Sequence, residues 1–533
     1  MVLLGKKLGL WKKARVTFYG PVMMLRTGKG KSFIEKASTH TNFWITFGTL
    51  STAVTLLFMI LATIFLVWQA FRTYSEPLTI ESPVDADFDL LGINPALTLI
   101  YAVIGFTVAI VIHEFTHGAL AVAVRIRLES LGFLLFVIPV GAFVEPDEKE
   151  LKAAARANRM RVYSAGPASN ILTAAVCLGL LIGMLGPAAK PVFDGAVATT
   201  VTPDSPAAIF GIHPWTEVTS VDGTPVANAS QFKDYVFENP GDPIVLEIVY
   251  KSQRSTIALP GGIVVTEVFD GPAYNAGIKP GMIIASMNNE TINTADELRT
   301  VIENSTRDAA VSLTVLKHGF DRERGSEWFV EDSSIRAVNL TSKWIYYYTH
   351  YPNENSEAYR NISFMALSTA PLGAEFKDPE SFSNIIGRPF SSNAGKPDVI
   401  VSGIEYLALP FKGYSPVLSP AADLYKPSGI LCWVPVNVYW TAMNLAYWIF
   451  WVNLMVGLTN ALPALPMDGG YLLKDSLRAL AHRRGLRLTG LDRAIGRHPM
   501  TDEHVDMIVI ASTVFILGLA TYLVLWQVVG STA

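Results

Sequence analysis

The sequence predicts a polytopic α-helical membrane protein of about five spans, with a β-hairpin at membrane level and two α+β modules inserted between the third and fourth spans. Three observations carry that prediction. Half of the residues are hydrophobic and only 17% are charged, against roughly 25% charged in soluble domains. Five uncharged runs exceed the roughly 20 residues that a helix needs to cross about 30 Å of hydrocarbon. A polar stretch between the third and fourth runs aligns with itself without a gap. The composition argues against a soluble or disordered chain, and a net charge of −4 gives no global basic field for nucleic acid. The two cysteines, Cys177 and Cys432, cannot make a thiolate metal site, and nothing in the sequence pairs them.

The runs are residues 43–71, 90–120, 162–189, 436–466 and 507–529. A sixth apolar run, 130–144 (SLGFLLFVIPVGAFV), is too short to span. Its Gly-, Pro- and Val-rich texture predicts a strand hairpin. Orientation follows from the loops. Lys6, Lys7, Lys12, Lys13, Arg15, Arg26, Lys29, Lys31 and Lys36 precede the first run, which places the N-terminus in the cytoplasm. Glu76, Glu81, Asp85, Asp87 and Asp89 follow the first span; Arg125, Arg127, Lys149, Lys152, Arg156, Arg159 and Arg161 follow the second. A further basic loop, from Lys474 to Arg497, follows the fourth. Residues 190–430 therefore lie outside the cell. Acceptor sequons at Asn228, Asn289, Asn304, Asn339 and Asn361 all fall there, which is the pattern of glycosylation or merely of a polar segment.

The expected organisation is a basic N-terminal segment (1–42), a first membrane core (43–189), two modules (190–258 and 259–319), an outer linking region (320–430) and a second membrane core (431–533). The modules follow from the repeat: SPAAIFGIHPWTEVTSVDGTPV, beginning at Ser205, aligns with GPAYNAGIKPGMIIASMNNETI, beginning at Gly271. Each copy runs on into a helical pattern (231–237, 295–303) and an alternating strand, IVLEIVY or VSLTVLK. The unit resembles a PDZ domain of the kind found in membrane-associated and periplasmic proteases. That resemblance implies either capture of peptide tails at a sheet edge or, with no tail bound, a spacer or size filter. The aromatic run KWIYYYTHY from Lys343 reads as a half-buried strand, with a membrane-surface contact as the alternative.

The second run ends in AIVIHEFTHGAL, placing His113, Glu114 and His117 where ionisable groups are costly. Positions i and i+4 share one helix face, so both imidazoles can offer a nitrogen to one Zn²⁺, with Glu114 beside them as general base. This is the HExxH arrangement of zinc hydrolases. A catalytic zinc needs a third protein ligand. No other histidine lies in a span, but the fourth run ends in NALPALPMDGG. Pro463 and Pro466 break the helix, so Asp468 sits on irregular backbone at membrane depth, tolerated only where it lines a cavity or is buried in protein. Asp468 is the candidate ligand; the alternative is a cap for the helix after it. Depth agrees: His113 lies about 27 Å along a helix starting near Pro95, close to the cytoplasmic boundary that the fourth span also reaches.

Four stretches, GPVMMLRTGKGKSFIEKA, HEFTHG, GAFVEPDEKELKAAARANRMRVYSAGPASN and NALPALPMDGG, together resemble the site-2 protease family of intramembrane zinc metalloproteases, most of all its archaeal members. The resemblance implies one Zn²⁺ per chain held by His113, His117 and Asp468, with Glu114 as general base. Met467 departs from the family's usual Leu, a nearly isosteric change. Asn460, Pro463 and Pro466 resemble the segment that holds an unwound substrate strand, and the 130–144 hairpin resembles the sheet whose edge pairs with it. Asn170 either hydrogen-bonds in the core or packs there among Gly166, Ala168 and Ser169. The implied activity is hydrolysis of peptide bonds in or near transmembrane segments of membrane-anchored substrates, in the lipid bilayer and without nucleic acid. The competing reading is a catalytically inactive scaffold that uses its PDZ-like modules.

Overall fold

The computed structural model of the chain describes residues 16–19, 22–27, 30–75, 95–136, 138–306, 309–322, 324–332, 337–350, 359–360, 362–379, 403, 406–410, 421–481 and 501–530. The acidic loop 76–94, the basic residues before 16, most of the basic loop after Arg478 and the sequon at Asn361 lie outside the described residues. The chain divides into two compact units. One takes Met1–Glu81, Ala96–Leu180 and Asn444–Ala533; the other takes Ser82–Pro95 and Leu181–Met443.

Among the described residues five helices are long and apolar enough to cross a membrane, as expected. They are α1 (Thr41–Ser75), α2 (Pro95–Ala123), α3 (Arg156–Leu180), α4 (Val436–Ala461) and, after the shorter α5 (Asp468–Ala481), α6 (Asp502–Gly530). Leu57, Ile60 and Ile64 of α1 and Val514 and Leu525 of α6 are exposed. Such side chains suit hydrocarbon and would be a liability in water. The third span continues past Leu180 through a π-helical turn, Leu181–Leu185. The fourth helix stops at Ala461, earlier than the apolar run, because Pro463 and Pro466 cannot continue it. Hydroxyls stitch α3 to α1: Thr52 Oγ1 lies 3.1 Å from Ser164 Oγ, and Thr55 Oγ1 donates to Ser164 O at 3.2 Å.

The predicted hairpin is present and belongs to a larger sheet. Strands β1 (Val16–Tyr19), β2 (Val22–Thr27), β3 (Leu128–Phe136) and β4 (Ile138–Pro146) form an antiparallel sheet in that order. Its register runs Thr27↔Leu131 and Leu131↔Val144. The basic N-terminal segment thus supplies two strands. Lys31 fastens them, its Nζ donating to Leu128 O at 2.9 Å.

In the other unit, elements recur at the positions where the sequence aligns with itself. Short helices Pro206–Ile209 and Pro272–Asn275, strands Glu217–Val221 and Ile283–Met287, and helices starting at Ala229 and Ala295 recur in step. The first module has β5 (Ala196–Val201), β6 (Glu217–Val221), β7 (Pro243–Tyr250) and β8 (Gln253–Pro260); the second has β9 (Ile263–Val268), β10 (Ile283–Met287), β11 (Ala310–Asp321) and β12 (Ser326–Glu331). Strand β11 runs through the boundary expected at 319, and β12 extends the module to 331. Two further strands, β13 (Leu367–Pro371) and β14 (Ala374–Lys377), close the sheets: the orders are β8-β7-β6-β5-β14 and β12-β11-β10-β9-β13. Phe376 is fully buried and its ring lies 4.2 Å from that of Phe232 on the helix Ala229–Lys233. Strand β14 therefore pairs with β5 and packs against that helix.

The aromatic run is not a strand. Lys343–His350 is an α-helix. Trp344 stacks on Tyr348 one turn on, at 5.3 Å, while Tyr346 is buried against Phe364 at 5.0 Å. Helical i, i+4 spacing thereby overrides the strand propensity of aromatic residues.

Candidate metal centre

Helix α2 places His113 and His117 one turn apart, with their Nε2 atoms 3.1 Å from each other. Asp468 is the first residue of α5, and its Oδ2 lies 3.1 Å from His113 Nε2 and 3.2 Å from His117 Nε2. His113 is buried; His117 and Asp468 are half-buried. The Asp468 carboxylate thus faces two imidazoles, as the ligand reading requires.

The turn that delivers Asp468 is held by backbone proximity. A Cβ on Gly469 would lie 2.2 Å from Ala461 O, and one on Gly470 2.7 Å from Ala464 O, so no side chain fits at either position. Helix α6 fixes the same turn: Ser512 Oγ donates to Pro463 O at 2.7 Å, and Leu465 N–H donates to Thr513 Oγ1 at 3.0 Å.

Helix α3 forms the back wall. His117 Nδ1 is 2.7 Å from Val162 O, Thr116 Oγ1 is 2.9 Å from Ser169 Oγ, and the Asn170 amide is 3.2 Å from His113 Nδ1. Between them lies Gly166, where a Cβ would stand 2.4 Å from His117 Nε2 and 2.6 Å from His113 Nε2. The space in front of both donor atoms exists because residue 166 has no side chain. Further along α3, Tyr163 stacks on Tyr471 at 5.3 Å, and Arg159 pairs with Asp475.

Glu114 occupies the neighbouring face of α2. Its Oε2 accepts the Val144 N–H at 2.8 Å. Antiparallel strands turn alternate residues' N–H groups toward and away from the partner. Val144 pairs with Leu131 in register, yet donates to Glu114, so its N–H belongs to the edge of β4 that β3 does not use.

Ligands about 2.0–2.2 Å from a tetrahedral Zn²⁺ stand roughly 3.3 Å apart. The triangle of 3.1–3.2 Å edges fits one face of such a site. Among the described residues these three side chains form the group able to hold a metal ion. The other sequence-chosen residues stand apart from it in role. Asn460, in the last turn of α4, donates to its own helix at Val456 O, 3.0 Å away. Pro463 is buried and Pro466 exposed in the turn before Asp468. Gly166, Val144 and Val162 were not singled out by spacing. Gly166 looks like any small residue of a packed helix, and the other two act through backbone atoms.

Apolar helices surrounding an HExxH helix and a converging carboxylate define a multi-pass membrane peptidase. A model of peptidase family M50 matches residues 101–489, and the chain belongs to that family. Relatives cover less of it. An uncharacterized protein of Methanocaldococcus jannaschii is 30% identical over 166 residues, 31% of this chain and 44% of that protein. A probable periplasmic serine endoprotease DegP-like of Pseudomonas putida is 37% identical over 67 residues, 13% of this chain and 14% of that protein. One of the same description from Pseudomonas fulva is 26% identical over 171 residues, 24% of this chain and 36% of that protein. The chain thus spans under half the length of each of these relatives.

Proposed function

We propose that this M50 peptidase is a zinc-dependent intramembrane endopeptidase that cuts peptide bonds in or near the transmembrane segments of membrane-anchored proteins. The observation that carries the reading is the convergence of His113, His117 and Asp468 beside Glu114. His113 Nε2, His117 Nε2 and Asp468 Oδ2 would hold the ion. When bound, zinc supplies a Lewis acid for the scissile carbonyl and brings water to a nucleophilic state near neutral pH. Glu114 takes the proton of the attacking water and returns it to the leaving amine. The Val144 N–H orients that carboxylate, so the base is aimed by the sheet as well as by its own helix.

Among the described residues strand β4 ends its sheet. A substrate helix must unwind before attack, because its amides are enclosed in their own hydrogen bonds; pairing with the edge of β4 that β3 leaves, on either side of the Val144 N–H held by Glu114, returns partners to them. The family resemblance assigns Asn460, Pro463 and Pro466 to the other side of that strand. By the charge pattern, the N-terminus is cytoplasmic, residues 190–430 are extracytoplasmic, and cleavage takes place near the cytoplasmic side.

For the PDZ-like pair, closure by β13 and β14 favours exclusion of bulky substrates over capture of a free tail. A tail adding to β9 would have to displace β13, and one adding to β5 would have to displace β14, whose Ala374 and Phe376 are fully buried.

The test is cleavage of a single-span reporter by purified protein in lipid vesicles, comparing wild type, Glu114→Gln and chelator-treated protein. Product from metal-loaded wild type alone supports the reading. Zinc and reporter bound with no product, even after the reporter's outer domain is trimmed, would favour the scaffold.

A further inference from the structure

We propose that Asn170 is a positioning residue that sets the tautomer of His113, and so decides whether Nε2 meets the metal with a lone pair or with a proton. The inference rests on the zinc reading above. Asn170 is fully buried on α3, with its amide 3.2 Å from His113 Nδ1, while Nε2 of the same ring faces Asp468 and His117. A neutral imidazole carries one proton, on one nitrogen or the other. The two ends of an Asn amide have the same shape, and hydrogen bonding decides which end faces the ring.

With the N–H₂ end toward the ring, Nδ1 accepts. The ring proton then sits on Nε2 and is donated to Asp468. In that arrangement Asn170 Oδ1 is buried and without a hydrogen-bond partner. Half a turn of the amide reverses the tautomer and exchanges which end of the amide sits in that unpaired place. Oδ1 now accepts the Nδ1 proton, and Nε2 keeps its lone pair for the ion; the N–H₂ takes the place the oxygen held. His117 differs, because its Nδ1 faces Val162 O, a carbonyl that can only accept. One ligand is therefore held in its metal-binding tautomer by a fixed backbone group, and the other by a side chain with two settings. Partners of this kind, behind a ligating histidine, govern ring orientation and basicity.

Zinc affinity of metal-free full-length protein in detergent, measured by competition with a chromogenic chelator, tests this without reference to activity. Asn170→Leu keeps the bulk and removes the acceptor; Asn170→Asp keeps an acceptor and removes the donor. We expect Asn170→Leu and Asn170→Ala to bind zinc about 10- to 100-fold more weakly, and Asn170→Asp to stay within about threefold of wild type. Should Asn170→Leu fail to fold, the comparison of Ala with Asp carries the same information. Leu or Ala binding as tightly as wild type, or Asp losing zinc as fully as Leu, overturns the proposal while leaving the zinc reading intact. Wild type that takes up no zinc ends both.

Discussion

The guanidinium of Arg159 on α3 grips the carboxylate of Asp475 on α5 with both ends, Nε to Oδ2 at 2.8 Å and Nη2 to Oδ1 at 2.6 Å. The pair is mostly buried, with Arg159 Nη1 also donating to Ala154 O at 2.8 Å. Asp475 lies two turns beyond Asp468 on the same helix, so this clamp fixes the rotation of α5 about its axis and with it the aim of Asp468 Oδ2.

Arg159→Ala leaves a buried carboxylate without its partner, a change that costs about 3–5 kcal/mol. The expected outcome is a lower melting temperature together with weaker zinc binding. Arg159→Lys does not rescue either, because an ammonium cannot reproduce a two-pronged contact. A thermal melt and a chelator competition on the three proteins check this; full recovery by Lys would sink it.

Gly166→Ala is expected to remove zinc binding, since its Cβ would occupy the space 2.4 Å from His117 Nε2. Alanine is the better helix former, by about 1 kcal/mol. The metal-free protein should consequently melt no more than slightly below wild type while its zinc content after dialysis falls toward zero. Metal analysis of the dialysed variant decides the matter.

Glu217 in β6 is fully enclosed, with Oε1 unpaired. Burial, helped by the nearby Asp194 and opposed by Arg254, pushes its carboxyl up from 4.5 to about 7. Between those values the folded state holds a proton that the unfolded state releases, so stability falls as pH rises through that window and is flat above it. Glu217→Gln should raise the melting transition of the unit that holds the two modules at pH 8 and leave it unchanged at pH 4.5. An equal shift at both values would show that the carboxyl is not the cause.

Phe376→Ala empties a fully buried site and is expected to cost about 3–5 kcal/mol. Loosening β14 in this way should let full-length protein bind fluorescent peptide tails that wild type ignores. Anisotropy titration of both proteins measures it, and tight binding by wild type would return the modules to a capture role.

Much of the site was legible because its parts are local. The two histidines and Glu114 fall within five residues of one helix, where spacing alone dictates a shared face, and Asp468 is marked by flanking prolines and glycines that no ordinary span carries. The helical spans were legible for the same reason, since apolar length is a one-dimensional property. What escaped was long-range pairing. Strand β2 joins β3 across about a hundred residues of chain, and β13 and β14 return to β9 and β5, roughly 100 and 170 residues earlier. Strand pairing of that kind leaves no local period to read. Lys343–His350 failed differently: an aromatic run satisfies strand propensity and helical stacking at once, and the helix carries both the i, i+4 stack of Trp344 on Tyr348 and the packing of Tyr346 on Phe364.

The donor atoms of the centre come from positions 355 and 351 residues apart. During synthesis the histidine helix is therefore made and inserted long before its carboxylate partner leaves the ribosome. A nascent chain that stops before Asp468 has the HExxH face but lacks the carboxylate, and both modules between α3 and α4 are made in that interval. On the zinc reading proposed above, the hydrolytic site is therefore incomplete until Asp468 has been made, by which time both modules between α3 and α4 already exist.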